Sequence, residues 1–512
     1  MSTKPLVNSR GYATRLAVPG FMALGSLLRI LSYFYSENTG GDAGAHVALA
    51  AQWLQHPVPK VIFDVYPPGH FWLMGATALL VHDVFTAGRL LSLVLGIGSL
   101  FIVWKLAEVL YGELAAVCSL AVFSLYSLHI GYSTTSSAEV SYLFFLLLGL
   151  LFFFAYLQKE PGQLSYLWMS GLSISVSESI RYEAWIFFFG MFVTLVLIPL
   201  RRSRRGRNVH NFLPAAIFGI AGGAWPAFMM TYSWYRFRKP MYLVNLNSER
   251  VQRWLTSSHT SLSHQLALTP VVLILSLSLP AFVAAVYALF VTFRLRLAAI
   301  FAALVVFFGL IQFYQITRGA LEATARYTLT LGTMFAVLSG YGIERLCHKL
   351  APARVGLARA VVVICLFLNL GMILYLSESH SSIADTIASI SPRLRYSRRI
   401  AGVGEFLRAH RTSQDAVVID NYNVESNIIA NAAGLPLVPG RLEYLASVKN
   451  QAGVLEYIHA ERPRFLVYSG SGTLRQWIHL PAECDRAIQT DGIQFTCEYS
   501  NQIYRIYELS YP

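Results

Sequence analysis

The side chains able to do chemistry fall in a few short polar stretches between long apolar ones. Asp42 follows Gly40 and Gly41, which let backbone approach a partner at little steric cost, and precedes an amphipathic run over 43–54. A carboxylate there can cap the helix that begins at Ala43. It can also act as a base, because a helix start holds it in place and favours its ionised form. His46 lies inside that run, and His70 and Trp72 follow the turn Tyr66-Pro67-Pro68. The two histidines can contact hydroxyl groups or simply fill an amphipathic surface, and Pro-Pro with aromatics is also a common membrane-interface anchor. Arg181, Tyr182 and Glu183 close one apolar run, Arg326 and Tyr327 open another, and Arg318 lies just upstream. Guanidinium suits phosphate because its planar fork offers two parallel charge-assisted bonds. The plainer alternative is an Arg181–Glu183 pair reaching to the interface. Glu139, in "TTSSAEV", either faces the same cavity or is an ordinary loop carboxylate. Neither a CxxC nor an HExxH metal motif occurs.

The elements that carry these residues follow from composition. The chain has 512 residues, 55% of them hydrophobic and 13% charged, where soluble proteins carry about 25% charged residues. It is therefore expected to be a polytopic α-helical membrane protein. Apolar runs near the ~20 residues that a bilayer requires fall at 13–33, 87–107, 114–131, 138–157, 163–180, 184–200, 211–233, 267–291, 298–316, 326–345 and 356–376, which predicts about eleven helices. The net charge of +13 is explained by arginines in short loops, the positive-inside pattern, and not by nucleic acid. Lys4, Arg10 and Arg15 precede the first apolar run, Arg29 interrupts it and no small-residue cleavage site follows. An uncleaved first span is expected.

Charge arithmetic places the remaining apolar run, 67–82. If it crossed, "RRSRRGR" at 201–207 would lie outside; if it lies in the interface, that loop and Arg294, Arg296, Lys349, Arg354 and Arg359 fall inside. The second choice makes 67–82 an interfacial helix of the first external loop, 34–86, with a cytoplasmic N-terminus. The segments 133–139, 177–183, 234–265 and 316–327 and everything after 377 then share the outer face. Arg236, Arg238, Lys239, Arg250 and Arg253 also fall outside, where they meet an anionic ligand or lipid headgroups unless the topology is locally wrong. After a linker at 377–396, residues 397–512 turn soluble and alternate helix and strand patterns, which predicts a small extracytoplasmic α/β domain. "DNYN" and "SGSG" follow its two strands, but no phosphate-loop or GxGxxG fingerprint occurs, so a structural or acceptor-binding role is preferred. Cys484 and Cys497 share this region, and spacing alone leaves a disulfide between them open.

An acidic residue just after the first span, an interfacial helix and then "YPP" with aromatics resembles the first external loop of the GT-C membrane glycosyltransferases. More narrowly it is similar to the protein O-mannosyltransferase-like and aminoarabinose-transferase-like branch. The resemblance runs in order over about 13–345. It implies that Asp42 is the base on the acceptor, that Arg181 and Arg326, with Arg318 as a weaker candidate, bind the phosphate of a polyprenyl-phosphate sugar, and that His46, Tyr66, His70, Glu139, Tyr182, Glu183 and Tyr327 line the substrate site. "RYE" at 181–183 and "ARY" at 325–327 are similar to segments of the family. Two departures stand out. The family's "DExxY"-like run reads "DAGAH", with Ala43 replacing a second acidic residue, which puts a divalent metal in doubt. Tyr66 stands where the aminoarabinose branch tends to have Lys, which counts against that sugar. The implied reaction is an inverting transfer on the external face to a lipid, protein or polysaccharide acceptor. The absence of an Asn-x-Ser/Thr sequon tilts towards a bacterial inner membrane. The competing readings are a transporter or flippase, which needs ionisable groups at mid-bilayer depth and repeated halves with broken helices, and a non-catalytic binder of lipid-linked sugars.

Overall fold

Apolar runs become helices because, away from water, only bonds within the segment satisfy the backbone. The structure, a computed structural model, describes residues 9–35, 42–55, 57, 66–158, 163–202, 212–258, 261–350, 352–377, 387, 389–392, 397–412, 414–420, 429–430, 433–435, 451–469, 473–476, 478–480, 484, 487–501 and 504–512. Gly40, Gly41, most of "RRSRRGR", "NYN" of "DNYN", most of "SGSG" and most of the helix expected at 425–434 lie outside the described residues. Six helices are long and apolar enough to cross a bilayer among them: α1 (Ser9–Tyr35), α4 (Val84–Tyr111), α7 (Glu139–Gln158), α10 (Leu213–Phe237), α14 (Arg296–Thr317) and α16 (Val355–Leu376). Between these run α2 (Ala43–Gln55), α3 (Gly69–Val81), α5 (Glu113–Ser124), α6 (Ser127–Tyr132), α8 (Leu164–Ile180), α9 (Ala184–Arg202), α11 (Tyr242–Ser258), α12 (Leu262–Leu277), α13 (Leu279–Val291) and α15 (Ala325–Leu350).

Two of the spans expected as continuous are broken. In place of one helix over 267–291, α12 and α13 meet at Ser278 with a bend of 114°. Ser278 sits at φ 73, and Pro280 in the first turn of α13 cannot donate the hydrogen bond that would continue α12. In place of 114–131, α5 stops at Ser124 and α6 begins at Ser127, where Ser124 Oγ donates instead to Phe21 O. The run 67–82 forms α3, whose 13 residues reach roughly 20 Å, short of the ~30 Å hydrocarbon layer. α3 turns directly into α4, which Asp83 caps by accepting from Thr86 N at 2.7 Å. Within the stretch expected as the loop 234–265, α11 forms a further helix.

α15 runs through the centre, buried along most of its N-terminal two thirds. It gets there because its glycines admit its neighbours: a β-carbon at Gly340 would meet Ala115 O of α5, and one at Gly342 would meet Ala284 O of α13. Such close backbone approach is the usual glue of helices in lipid. Arg29, the residue that interrupts the first apolar run, is wholly buried. Its guanidinium donates to Gly25 O at 2.9 Å and Phe123 O at 3.3 Å, and lies 2.9 Å from His129 Nδ1. It therefore pins α1 to α5 and α6.

The C-terminal residues form a five-stranded sheet in the order β1-β2-β5-β4-β3, from Val417–Ile419, Phe465–Ser469, Ile488–Thr490, Ile493–Ser500 and Tyr504–Ser510. β1 and β2 are parallel and the rest antiparallel, with the expected hairpin joining β4 to β5. Alternate residues face opposite sides: Leu466 and Tyr507 pack over α18 (Gln451–Glu461), and Val467 and Ile506 over α17 (Ser397–His410). β3 has no counterpart in the sequence reading. Asp420, at the end of β1, accepts from Ser469 N at 2.9 Å and Leu474 N at 2.6 Å, a structural tie between strand ends. Cys484 and Cys497 are joined as a disulfide. The stretch expected as a linker is partly built in: Ile387 and Ile390 are buried in the core of the helical bundle, and Pro392 O accepts from Ser32 Oγ of α1 at 2.9 Å.

Candidate active site

The Ser/Thr-rich stretch after α6 makes the floor of the site. Short hydroxyl side chains compete with the backbone for hydrogen bonds and so stabilise turns: Ser133 Oγ donates to His129 O, Thr134 Oγ1 to Gly131 O and Thr135 Oγ1 to Tyr132 O. Arg89 of α4 holds the stretch from behind, donating to Thr134 O at 2.9 Å and to Tyr33 O, near the end of α1, at 2.6 Å. The loop then delivers Glu139 at the start of α7.

On this floor two arginines meet three carboxylates. Asp42 stands just before α2, where its carbonyl accepts from His46 N and its carboxylate turns towards Arg326. Arg326 Nη1 donates to Asp42 Oδ2 at 2.6 Å across 284 residues of chain. Its Nη2 donates to Tyr327 Oη at 3.2 Å, and the guanidinium lies 4.8 Å from the Tyr327 ring. Arg181, at the end of α8, is held more completely. Nε and Nη2 donate to Glu183 Oε1 at 3.1 and 2.7 Å, and Nη1 donates to Glu139 Oε1 at 2.6 Å. The Arg181 guanidinium also lies 5.2 Å from the Tyr327 ring, whose backbone carbonyl accepts from Gln312 Nε2 of α14 at 2.7 Å. Glu139, Tyr142, Arg181, Glu183, Gln312, Arg326 and Tyr327 line one small cleft, and Asp42 reaches it through its bond to Arg326.

Burial alone would push the Asp42 carboxyl up, but Arg326 first, then His46 and Arg181, outweigh it and hold it below the usual carboxylate range. Glu183 behaves alike: burial raises it and Arg181 more than reverses this. Burial drives the histidines the other way, His46 down to about 4 against the pull of Asp42, and His70 down to about 3. Both rings are neutral near pH 7 and lie 5.1 Å apart. His70 Nε2 is 2.9 Å from Ser136 O, so this nitrogen carries the proton, and His46 also hydrogen-bonds to the Ser136 backbone. The Nδ1 atoms of both rings are buried without a hydrogen-bond partner among the described residues. Tyr66 packs 4.9 Å from His46 and hydrogen-bonds with Asp42; burial and that carboxylate raise its hydroxyl.

The structure thus gathers Asp42, His46, Tyr66, His70, Glu139, Arg181, Glu183, Arg326 and Tyr327 around one place. Arg318 is exposed over Tyr314, 5.8 Å from its ring, and Tyr182 meets Trp185 edge to face at 5.6 Å; neither is among the residues lining the cleft. Several groups at the site carried no expectation. Gln312 and Tyr142 lie inside apolar runs, and the Ser136 carbonyl has no sequence signature. Glu322, whose carboxyl burial raises with Arg326 opposing, responds to Asp42 as well. Arg250 of α11, one of the basic residues expected to meet an anionic ligand or lipid headgroups, acts electrostatically on Tyr66. Among the described residues, no three His, Cys, Asp or Glu side chains form a group able to hold a metal.

Residues 65–225 match the family of dolichyl-phosphate-mannose-protein mannosyltransferases. The solved ArnT from Cupriavidus metallidurans superposes over 97% of this chain and 98% of its own, with TM-score 0.63 and 12% identity, in its apo state. The same protein bound to undecaprenyl phosphate gives TM-score 0.61 at 13% identity over 96% of this chain and 97% of its own. The chain shares the fold of this membrane glycosyltransferase. The archaeal oligosaccharyltransferase AglB from Archaeoglobus fulgidus, in complex with an inhibitory peptide and a dolichol-phosphate, is a more distant neighbour in fold. It has TM-score 0.51 and 13% identity over 90% of this chain and 70% of its own. Among curated proteins, none matches the chain by sequence. The apolar helices and the GT-C fold make it an integral membrane protein.

Proposed function

We propose that this chain is an inverting transferase that moves a sugar from a polyprenyl-phosphate donor to an acceptor hydroxyl at the external membrane face. The observation that carries the reading is the Asp42–Arg326 pair at 2.6 Å, a carboxylate and a guanidinium brought together beside a cleft whose other walls are charged. Asp42 takes the proton of the acceptor hydroxyl as its oxygen attacks the anomeric carbon from the side opposite the phosphate. The bond from that carbon to the phosphate oxygen breaks and its electron pair leaves on polyprenyl phosphate. Arg326 stabilises the charge that develops on the phosphate. Arg250, on the exposed rim, adds positive potential at the mouth. Arg181, saturated by Glu139 and Glu183, keeps the Tyr327 wall in place, and the unpaired Nδ1 atoms of His46 and His70 accept from sugar or acceptor hydroxyls. Polyprenyl phosphate, a phosphate monoester, is already a good leaving group, so no general acid is required.

The Cys484–Cys497 disulfide supports placing the C-terminal domain outside, since such bonds persist in oxidising compartments; a bacterial inner membrane suits this arrangement. The test is transfer of radiolabelled sugar from a panel of polyprenyl-phosphate sugars in membranes carrying the wild type or Asp42→Asn at matched expression. Loss of a general base is expected to cost about 10²–10⁴-fold in rate. Equal transfer by both proteins would remove Asp42 as the base, and no transfer with any donor would reject the donor class.

A further inference from the structure

The two arginines at the cleft are not equally available to an incoming anion. Arg181 has Nε, Nη1 and Nη2 all engaged by carboxylates, two from Glu183 and one from Glu139. Arg326 gives a single Nη1 bond to a single carboxylate oxygen, and its Nη2 partner is a neutral phenol. A phosphate gripping a guanidinium takes two N–H groups on one edge. At Arg181 the Nε–Nη2 edge is already filled by two bonds to Glu183 and Nη1 is held by Glu139, whereas at Arg326 the phosphate displaces Asp42 from a single bond. The cleft as it stands also carries three carboxylates, Asp42, Glu139 and Glu183, against the two guanidiniums, so an added anion is accommodated only if one existing pair opens.

We propose that the donor phosphate takes Arg326 from Asp42, so that the carboxylate is released to the acceptor hydroxyl only when the donor is in place. This rests on the reading of the cleft as a polyprenyl-phosphate sugar site and adds an order of events to it. Before the donor arrives, Asp42 is occupied and presents a poor acceptor for a hydroxyl proton. In the donor complex Arg326 faces the phosphate, and burial, no longer outweighed by this pair, makes Asp42 a stronger base. Transfer then moves the hydroxyl proton onto Asp42 and the sugar–phosphate electron pair onto the departing phosphate. When polyprenyl phosphate leaves, Arg326 returns to Asp42 and drives the proton off, which resets the site. Acceptor binding before the donor is thereby disfavoured.

The experiment is equilibrium binding of a non-transferable polyprenyl methyl phosphodiester, a monoanion throughout the working pH range, to the full-length protein in lipid nanodiscs. Asp42→Asn, which removes the competitor for Arg326, is expected to bind it at least about tenfold more tightly while losing transfer. Glu139→Gln removes the same charge from the same cleft without touching Arg326, and the gain is expected to be absent there. Equal or weaker binding by Asp42→Asn overturns the exchange, as does a gain of the same size in Glu139→Gln. Absence of binding in every protein overturns the donor reading and this inference with it.

Discussion

Neutral histidines buried beside an ionised carboxylate make the site sensitive to acid in a defined window. His46 and His70 are held near 4 and 3 when folded, against about 6.5 when unfolded. Between those values the unfolded chain binds more protons than the folded one, so stability is complete above about pH 6.5 and is lost as pH falls towards 4. Each histidine contributes a slope of about 1.4 kcal/mol per pH unit in that window. Thermal unfolding in detergent between pH 7.5 and 4.5 should show the decline, and His70→Gln should flatten it; an unchanged slope would mean that the rings are not buried neutral. At this scale the sequence revealed charges and missed their restraints. Asp42, Arg181 and Arg326 were legible because ionisable groups at the ends of apolar runs are costly unless they serve a cavity. Gln312 was hidden inside such a run, Arg89 looked like any charge near a span end, and the Ser136 carbonyl belongs to no side chain. Arg318 has the same type and place, and its side chain lies over exposed Tyr314.

Among the elements, α15 decides the geometry, since its first turn holds Arg326 and Tyr327 and its body fixes their depth. Its seat depends on Gly342 passing the backbone of Ala284 and Gly340 passing that of Ala115. Gly342→Ala is expected to cost about 1–3 kcal/mol through overpacking against backbone that cannot yield. It should lower transfer along with the melting temperature, while Gly356→Ala, where a β-carbon meets nothing within 4 Å, should do neither. Paired thermal melts and transfer assays check both. The helices themselves were largely legible, because long apolar runs have few other fates in a membrane. Their breaks were less so. An evenly apolar run shows no periodicity from which to see the chain turn, so the bend at Ser278 was marked only by Pro280, and the stop at Ser124 by serines that elsewhere continue a helix. α11 was concealed for another reason: its polar, basic face reads as loop when only hydropathy is followed.

For the whole molecule, the division into a helical bundle and a sheet-containing domain was legible from the change of composition near 397, and the alternation of patterns gave the mixed sheet apart from β3. The side of the membrane on which that domain stands is open to a direct measurement. With Cys484 and Cys497 paired and Cys118, Cys347 and Cys365 free and in the bundle, a membrane-impermeant maleimide applied to intact cells should label the domain only after reduction. Labelling without reduction would contradict the disulfide. No labelling after reduction would place the domain on the inner side.

The burial of Ile387 and Ile390 in the bundle core, with Pro392 bonded to Ser32, changes where the protein can be divided. A shortened chain ending at 376 would lose more than an appendage. It would leave an open apolar slot beside α6 and α1, the two helices that lead into the Ser/Thr-rich floor and the Asp42 loop. A chain ending at 392 keeps its own plug. Anyone dissecting what the C-terminal domain contributes should therefore cut after 392, because a cut before 387 removes part of the helical bundle that happens to be encoded downstream of α16.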